Sequence, residues 1–290
     1  QVLTTPTVYF CHEPPRQVLE AQLMHSIAQA GNVRRLLNRV DPLPALYKRT
    51  LLTLDRQNTR ASTLILANSA YSRETIYRVY GLFAQVCYLG VDTSLFRPLD
   101  LPKEHFVLSV GQLHALKGFD FLVRSLAQID AGQRPQLVIV CNAVVPQEEA
   151  HLRQLAQESN VVLEIKTLVS DDELVRLYNQ AALMVYAPIM EPFGFAPIEA
   201  MACRTPVVGV REAGVRETVV DGCNGALVDR DEQHFADAVA ALLADPVRRE
   251  RLGRQGRDDA ETRWSWATTI QTVDRLLATA AQRGRRLGRS

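Results

Sequence analysis

The sequence predicts an α/β protein in which short buried strands alternate with helices. Two observations support this class. Apolar runs recur along the chain, and most are followed by a polar loop and a helical segment. The clearest strand–loop–helix–strand unit occupies residues 183–210. Strands are predicted at residues 7–11, 64–67, 86–89, 106–110, 136–141, 161–165, 183–186, 207–210 and 226–228.

Size and composition leave room for two α/β domains with separate cores. The chain has 290 residues, of which 47% are hydrophobic and 22% are charged. Its formal net charge is +1, so no overall field favours nucleic acid or a membrane surface. No apolar run approaches the roughly 20 residues that a membrane-spanning helix needs. Because the net charge is so small, we expect no nucleic-acid partner.

The five cysteines are odd in number and never in CxxC spacing, which argues against a disulfide framework and a metal site. Four of them lie in or beside apolar strands or helices. Since no signal peptide is recognised, we expect buried free thiols in a reducing cytoplasm. The cysteines are Cys11, Cys87, Cys141, Cys203 and Cys223.

Residues 183–210 predict a ligand site. An apolar strand is followed by a proline-containing loop, a helix and a second apolar strand. Ligands of such α/β units bind at the carboxyl ends of the strands. The first amides of the helix, near Phe193, Gly194 and Phe195, are expected to point at that edge. They would carry partial positive charge there and suit a phosphate group.

Two carboxylates, Glu191 and Glu199, frame this junction of loop and helix. Beside a phosphate pocket, a carboxylate is better suited to accept hydrogen bonds from sugar hydroxyls than to contact the phosphate. From spacing alone, an ordinary loop-to-helix turn with both glutamates in water is an equal alternative.

The segment EPFGFAPIEAMACRTPVVG, residues 191–209, resembles the signature of retaining GT-B glycosyltransferases of family four. The hallmark of that family is a glutamate, seven residues and a second glutamate. The resemblance extends over the chain from about Val8 onward. It implies a GT-B-like α/β fold with two Rossmann-like domains facing across a cleft, the N-terminal domain being truncated or reduced.

The resemblance also implies domain boundaries. Residues 1–98 would form a partial N-terminal, acceptor-side domain, and residues 99–263 the nucleotide-sugar-binding domain. Residues 264–290 would form a helix that crosses back to the first domain, followed by a basic tail. We expect the tail arginines to be disordered or solvated; they are Arg283, Arg285, Arg286 and Arg289.

The loop from Gly111 to Lys117 resembles the phosphate loop of the family, in which an arginine and a lysine neutralise the diphosphate. Lys117 occupies the lysine position, and a plain surface lysine is the alternative. Gln112 replaces the arginine, which removes one charge-assisted contact worth about 1.5–3 kcal/mol. Arg16 and His114 are candidates to compensate.

Two further sites follow from the chain order. The resemblance makes Val169 and Ser170 candidates for contact with the nucleobase, although capping of the next helix by Ser170 explains that segment equally well. Residues 229–231 spell DRD, which we interpret as a turn and a helix cap rather than metal ligands. No metal site is predicted.

In the N-terminal half, His12 follows the first predicted strand. The segment HEPPR, residues 12–16, resembles the family's His-Glu-Pro loop, in which the histidine lies by the donor sugar and acceptor. A loop histidine bonded to backbone is the alternative. Asn68 and Ser69 follow the second strand and are interpreted chiefly as caps of a helix over residues 72–80.

Residues 17–60 are predicted to be helical. The cluster Arg34, Arg35 and Arg39 would form a solvated face, or alternatively contact anionic lipid. Relatives place a further stretch ahead of the His-Glu-Pro loop. We therefore expect a fragment, a reduced enzyme, or a chain completed by a partner or a second copy, with a partner surface on the N-terminal half.

The resemblance implies a retaining transfer of a hexose from a nucleotide diphosphate sugar to a sugar or lipid-linked acceptor. No cofactor or metal would be needed, and the catalytic residues would be His12 and Glu191. The enzyme would be cytoplasmic, with peripheral contact at the inner membrane face left open. The alternatives are a non-catalytic nucleotide-sugar-binding or regulatory subunit and, more remotely, a sugar phosphorylase with pyridoxal phosphate.

Overall fold

The computed structural model describes residues 5–14 and 43–287. The chain divides into two compact units, Gln1–Tyr88 with Ile270–Ser290, and Leu89–Thr269. The predicted boundaries after residues 98 and 263 stay predictions. Arg16, the arginine cluster at 34–39 and the predicted helical segment before residue 43 lie outside the described residues.

The smaller unit contains a parallel three-stranded sheet in the order β1-β2-β3. Val8 pairs with Leu64, and Leu66 pairs with Gln85. One core cluster packs around Cys11, Ile65 and Tyr80. The elements are β1 (Val8–Cys11), α1 (Leu43–Arg60), β2 (Leu64–Ala67), α2 (Ala70–Tyr80) and β3 (Gln85–Val86).

Two details of this unit differ from the prediction. Helix α2 begins at Ala70 because Ser69 alone caps it, accepting a hydrogen bond from the Ser72 amide at 2.9 Å. Asn68 is not the cap. The predicted strand at residues 86–89 is reduced to β3, after which only the Cys87 amide continues the pairing, with the Ala67 carbonyl at 2.8 Å.

The larger unit contains a six-stranded parallel sheet in the order β6-β5-β4-β7-β8-β9. The chain winds outward from β4 in one direction and then from β7 in the other, so the topological switch point lies between these two strands. Its strands are β4 (Glu104–Val110), β5 (Gln136–Cys141), β6 (Leu163–Thr167), β7 (Ala181–Tyr186), β8 (Val207–Val210) and β9 (Gly225–Val228).

Helices connect the strands of this sheet, as parallel pairing requires. They are α3 (Phe119–Ala127), α4 (Pro146–Glu158), α5 (Asp171–Gln180), α6 (Phe195–Ala202), α7 (Val215–Thr218), α8 (Glu232–Ala244) and α9 (Pro246–Thr262). The last helix, α10 (Trp266–Leu287), contributes residues to both units.

Strand β7 is buried along its whole length, which explains why it reads as an uninterrupted apolar run. Its side chains alternate between the two cores of the unit. Leu183 and Val185 enter one cluster, and Met184 and Tyr186 enter the other. This alternation follows from the two-residue period of a strand. The sheet is therefore covered on both faces.

The strand predicted at 161–165 begins two residues later, at Leu163. Asn160 adopts a positive φ of 53°, and the Val161 amide still bonds to Ala156 at the end of α4. The tail arginines are expected to be disordered or solvated. The backbone at Arg283, Arg285 and Arg286 continues α10 to Leu287, so the first alternative is wrong there, whereas the exposed Arg283 fits the second. Arg289 lies outside the described residues.

All five cysteines are free, and all except Cys223 are buried, as expected. Burial raises the pKa of the Cys203 thiol to about 12 and that of Cys11 to about 11. No helix in the described part of the chain is long and apolar enough to cross a membrane.

Candidate functional site

Two loops meet at the switch point, one after β4 and one after β7. The Ile189 amide donates a hydrogen bond to the Leu116 carbonyl at 2.8 Å. Gly118, with a φ of 68°, lies against the second loop so closely that a Cβ there would be 2.0 Å from the Ala187 oxygen. Only glycine fits both the conformation and the contact. The backbones of the two loops are therefore fixed to each other.

Lys117 and Glu191 form an ion pair across these loops. The Lys117 Nζ lies 2.7 Å from Glu191 Oε2, and the two side chains are 27% and 18% exposed. Lys117 closes a short 3₁₀ turn, which His114 caps by accepting the Leu116 amide on Nδ1 at 3.2 Å. The lysine stem packs over Gly111. Because His114 is occupied as a cap, its availability to replace the missing arginine charge is reduced.

The amino terminus of α6 adjoins Glu191. Gly194 caps the helix with a φ of 87°, and no side chain of the described residues accepts a hydrogen bond from its first amides. The helix is eight residues long, so its terminus carries partial positive charge. Phe193 is buried against Trp264, with ring centroids 5.8 Å apart, whereas Phe195 is 44% exposed. Phe193 thus fixes the helix start while the uncapped amides stay available to an anion.

Glu199 lies in the second turn of α6. Tyr178 donates its hydroxyl hydrogen to Glu199 Oε2 at 2.8 Å. Burial raises the pKa of Glu199, the hydrogen bond from Tyr178 opposes this shift, and Asp171 adds to it. Burial, followed by the charges of Glu191 and Glu199, holds the pKa of Tyr186 well above its ordinary value. Both tyrosines therefore remain hydroxyl donors beside the carboxylates.

Arg230 supports the loop after β7, a role that sequence reasoning missed. Its guanidinium donates to the carbonyls of Ala187 and Pro188 at 3.0 and 2.8 Å. It also forms a bidentate pair with Glu212 at 2.7 and 2.8 Å and lies 5.2 Å from the centre of the Phe121 ring. The loop that carries Glu191 therefore leaves β7 along a fixed path.

The backbone of Glu191 is held from the other side as well. Its carbonyl accepts the Gly214 amide at 2.9 Å. A Cβ at Gly214 would lie 2.1 Å from the Pro192 oxygen, so glycine is needed for this approach. Ala213, just before it, adopts a positive φ of 44°.

Four predicted donor residues contribute differently. The Gly111 amide bonds to Val140 at 3.0 Å and lies under Lys117. Gln112 is exposed on the same loop. Ser170 caps α5, accepting the Glu173 amide at 3.2 Å, and Val169 packs against the core. Val169 and Ser170 follow β6, the edge strand of the sheet. Strand β6 lies two strand spacings, roughly 10 Å, from β4.

His12 belongs to the smaller unit, at the carboxyl end of β1. Its ring stacks on Phe10 with centroids 4.7 Å apart, and its carbonyl accepts the Ser72 hydroxyl at 2.8 Å. The imidazole is exposed. Asn68 follows the paired strand β2; it is buried, and its Oδ1 has no hydrogen-bond partner among the described residues.

The DRD segment is a turn and a cap, as predicted. Asp231 accepts the His234 amide at 2.9 Å, and Asp229 lies 3.6 Å from Arg211. Within residues 5–14 and 43–287, no group of three histidine, cysteine, aspartate or glutamate side chains is placed to hold a metal ion.

The chain is similar to curated glycosyltransferases. It is 31% identical over 241 residues to D-inositol 3-phosphate glycosyltransferase 1 of Catenulispora acidiphila, covering 75% of this chain and 57% of the relative. It is 27% identical over 243 residues to alpha-maltose-1-phosphate synthase of Mycolicibacterium smegmatis, covering 74% and 62%. The chain thus spans about three fifths of the length of these relatives.

Solved structures share the fold. Sucrose-phosphate synthase from Thermosynechococcus elongatus matches with a TM-score of 0.75 and 24% identity, over 94% of this chain and 68% of that one. Anabaena HepE, crystallised with UDP-glucose, matches with a TM-score of 0.75 and 20% identity, over 94% and 72%. At identities this low, a structural match establishes the fold alone. These two matches confirm the GT-B-like α/β class.

The family model described as "Glycosyl transferases group 1" matches residues 92–259. That match covers more than half of the chain, including both loops of the switch point and helix α6. The chain therefore belongs to the group 1 glycosyltransferase family.

Proposed function

We propose that this protein is a retaining, metal-independent glycosyltransferase that moves a hexose from a nucleotide diphosphate sugar to an acceptor hydroxyl. The observation that carries the proposal is the arrangement at the switch point. One cation, one carboxylate and the uncapped amides of α6 converge there, within the segment that matches the family.

In this proposal the diphosphate binds between Lys117 and the first amides of α6. Negative charge develops on the diphosphate as its bond to the sugar breaks. A fixed ammonium group and a helix terminus stabilise that charge, which is the main catalytic contribution. The joined loops already fix the backbones that carry both groups, so the main change needed is that the Lys117 side chain leaves Glu191 for the diphosphate. No step in this scheme requires a metal ion.

The two glutamates bind hydroxyl groups of the donor. Glu199 is half-buried, and Tyr178 occupies only its Oε2 within the described residues, which leaves Oε1 for the ribose hydroxyls. Glu191 accepts the hydroxyls of the sugar. To do so, Glu191 gives up its ion pair with Lys117 and forms hydrogen bonds with the donor. Its negative charge also stabilises the positive charge that develops at the anomeric carbon. His12 is proposed, on family resemblance, to position the sugar or the acceptor.

The resulting reaction breaks the bond between the anomeric carbon and the diphosphate oxygen. A bond forms from that carbon to an acceptor oxygen on the same face, and the acceptor proton leaves with the diphosphate. We propose a sugar or lipid-linked acceptor. The buried free thiols support a reducing, cytoplasmic location.

The test is an assay of UDP-, GDP- and ADP-sugars by mass spectrometry, with and without EDTA, followed by NMR of the product. We expect release of one nucleotide, unchanged by EDTA, and a product with the anomeric configuration of the donor. Glu191→Gln should reduce turnover by about 100-fold or more, corresponding to a lost transition-state contact of about 3 kcal/mol. An inverted product would overturn retention, and loss of activity in EDTA would overturn metal independence.

A second candidate is a nucleotide-sugar-binding subunit that does not catalyse transfer. Gln112 in place of the family's arginine favours it. The same assay separates the two proposals. Saturable binding of a nucleotide sugar without turnover across the panel would support the subunit.

A further inference from the structure

The larger unit contains a cavity of about 500 Å³ at the opposite end of the strands from the switch point. Lys103 precedes β4, Ala182 lies at the start of β7, and Pro206 precedes β8, and all three line it. The cavity therefore opens at the amino-terminal edge of the sheet. Strand β4 separates the two sites by roughly 20 Å.

Charge around this cavity is predominantly positive. Among the described residues, four basic side chains line it, and the acidic ones are Asp100 and Glu250. Glu250 pairs with Arg254 at 3.3 Å. Arg249 donates hydrogen bonds to the last carbonyls of α8, including that of Leu242 at 2.7 Å. No carboxylate of the described residues pairs with Arg249, so its positive charge is not neutralised. The four basic residues are Lys103, Arg204, Arg249 and Arg254.

Arg204 reaches the cavity from a constrained turn. It adopts a φ of 58°, a conformation that few residues other than glycine prefer. Gly253 of α9 packs so closely on this turn that a Cβ there would lie 2.3 Å from the Arg204 oxygen. The Arg204 side chain has neither a hydrogen bond nor an ion pair within the described residues. Its guanidinium is thus free to bind an anion at the rim.

Lys103 is exposed as a whole residue, but its amino group is directed inward. The Nζ donates to the hydroxyl of Thr205 at 2.9 Å, and Thr205 is fully buried. No carboxylate pairs with this ammonium in the described part of the chain. Burial lowers the pKa of Lys103 to about 8; Cys203 opposes the shift and Arg249 adds to it. A bound anion would supply the missing counter-charge.

We propose that this cavity is a second anion site that takes a small organic phosphate. Lys103 and Arg204 hold the phosphate, and Arg249 adds positive potential. The carbon skeleton of the ligand contacts the apolar part of the wall, which includes Leu99, Leu101 and Pro206. A volume of about 500 Å³ accommodates a ligand of this size. The proposal does not depend on the function assigned to the switch point.

The test is calorimetric titration of the full chain with inorganic phosphate, glycerol 3-phosphate and glycerol. The Lys117→Gln variant serves as the starting protein, so that phosphate binding at the switch point is weakened. We expect both phosphates to bind and glycerol not to bind. Lys103→Gln should weaken phosphate binding by about tenfold and Arg204→Gln by about three- to tenfold, the range for charge-assisted contacts near the surface. Arg153→Gln, on the exposed face of α4, is the matched control.

Proton uptake gives an independent readout. Because the pKa of Lys103 is lowered to about 8, we expect part of the Lys103 population to be neutral at pH 8.5 and a bound phosphate to raise this pKa again. Titrations in buffers of different ionisation enthalpy should therefore show protons taken up on binding, and Lys103→Gln should abolish this uptake. Lys103→Arg, which keeps the charge, should restore binding without proton uptake. Absence of binding, or binding unchanged in both Lys103→Gln and Arg204→Gln, would overturn the proposal.

Discussion

Lys117 and Glu191 are 74 positions apart in the sequence, yet their side chains meet at 2.7 Å. The lysine comes from the loop after β4 and the glutamate from the loop after β7, so the contact spans the switch point. In the proposed function each of these groups has another partner, the lysine a diphosphate and the glutamate a sugar. The ion pair therefore competes with the donor and must open when the donor binds.

Gly118→Ala is predicted to destabilise the protein strongly. The added Cβ would lie 2.0 Å from the Ala187 oxygen, at a φ of 68°. Conformational strain and overpacking together should cost about 3 kcal/mol or more. This corresponds to a Tm lower by about 6 °C or more, as measured by thermal unfolding.

Gly222→Ala separates the two causes. Gly222 has a similar φ of 71°, but an added Cβ would meet no atom of the described residues within 4 Å. Strain alone should cost about 1 kcal/mol there. Equal losses of Tm in the two variants would show that the close contact between the switch-point loops contributes nothing.

Arg230→Lys is predicted to weaken nucleotide-sugar binding by about tenfold. Lysine cannot make the bidentate pair with Glu212 and also hold the carbonyls of Ala187 and Pro188. The loop carrying Glu191 would then no longer be held in one position. The effect on binding is indirect, because Arg230 has no proposed contact with the donor. Arg153→Lys, which replaces an exposed helix arginine paired with Glu149 at 2.7 Å, is the control. A Tm decrease without any change in donor affinity would make Arg230 structural only.

Gln112→Arg is predicted to tighten nucleoside diphosphate binding by about three- to tenfold. It restores the charge that the family resemblance places on this loop, and charge-assisted contacts are stronger than neutral ones. Gln112 is exposed, so the Tm should not change. Unchanged affinity in isothermal titration would show that the side chain at position 112 does not reach the diphosphate.

Glu199→Gln is predicted to raise the Tm at neutral pH while it reduces activity. The pKa of Glu199 is raised in the folded protein, so its neutral form is favoured there. The stability contributed by this group is complete below the ordinary pKa of glutamate and is lost as pH rises through the raised value. Glutamine removes the buried charge and can still accept from Tyr178.

The Tm difference between Glu199→Gln and wild type should therefore grow from pH 4 to pH 8. Thermal unfolding across this range measures it. A variant less stable than wild type at pH 8 would show that the carboxylate is favourably solvated or paired in the fold.

Much of the larger unit could be predicted because its buried parallel strands read as apolar runs. Strand β7 is buried throughout, and its predicted end at Tyr186 coincides with the structure. Strand β6 was placed two residues early, because Val161 is apolar but bonds to the end of α4 rather than to the sheet. Apolarity indicates burial, and it does not indicate which element buries a residue.

The sequence also indicated Lys117 and Glu191 separately, but not their contact, because residues 74 positions apart share no local pattern. Arg230 was missed for the same reason. It lies in a segment with an evident local explanation, a turn before α8, whereas its partners are 18, 42 and 43 positions away. Such contacts appear only once β7 and β9 are placed in one sheet.

Calorimetric titration of a nucleoside diphosphate into Lys117→Gln and Glu191→Gln tests the central claim most directly, that the switch point holds the diphosphate of the donor. Arg153→Gln and Glu149→Gln are matched controls, since that exposed pair has the same 2.7 Å separation. Lys117→Gln should bind about 10- to 100-fold more weakly, because a charge-assisted bond is lost. Glu191→Gln should bind about two- to tenfold more tightly, because Lys117 is released from its pair. Unchanged affinity in Lys117→Gln, or equal weakening in both variants, would contradict the account.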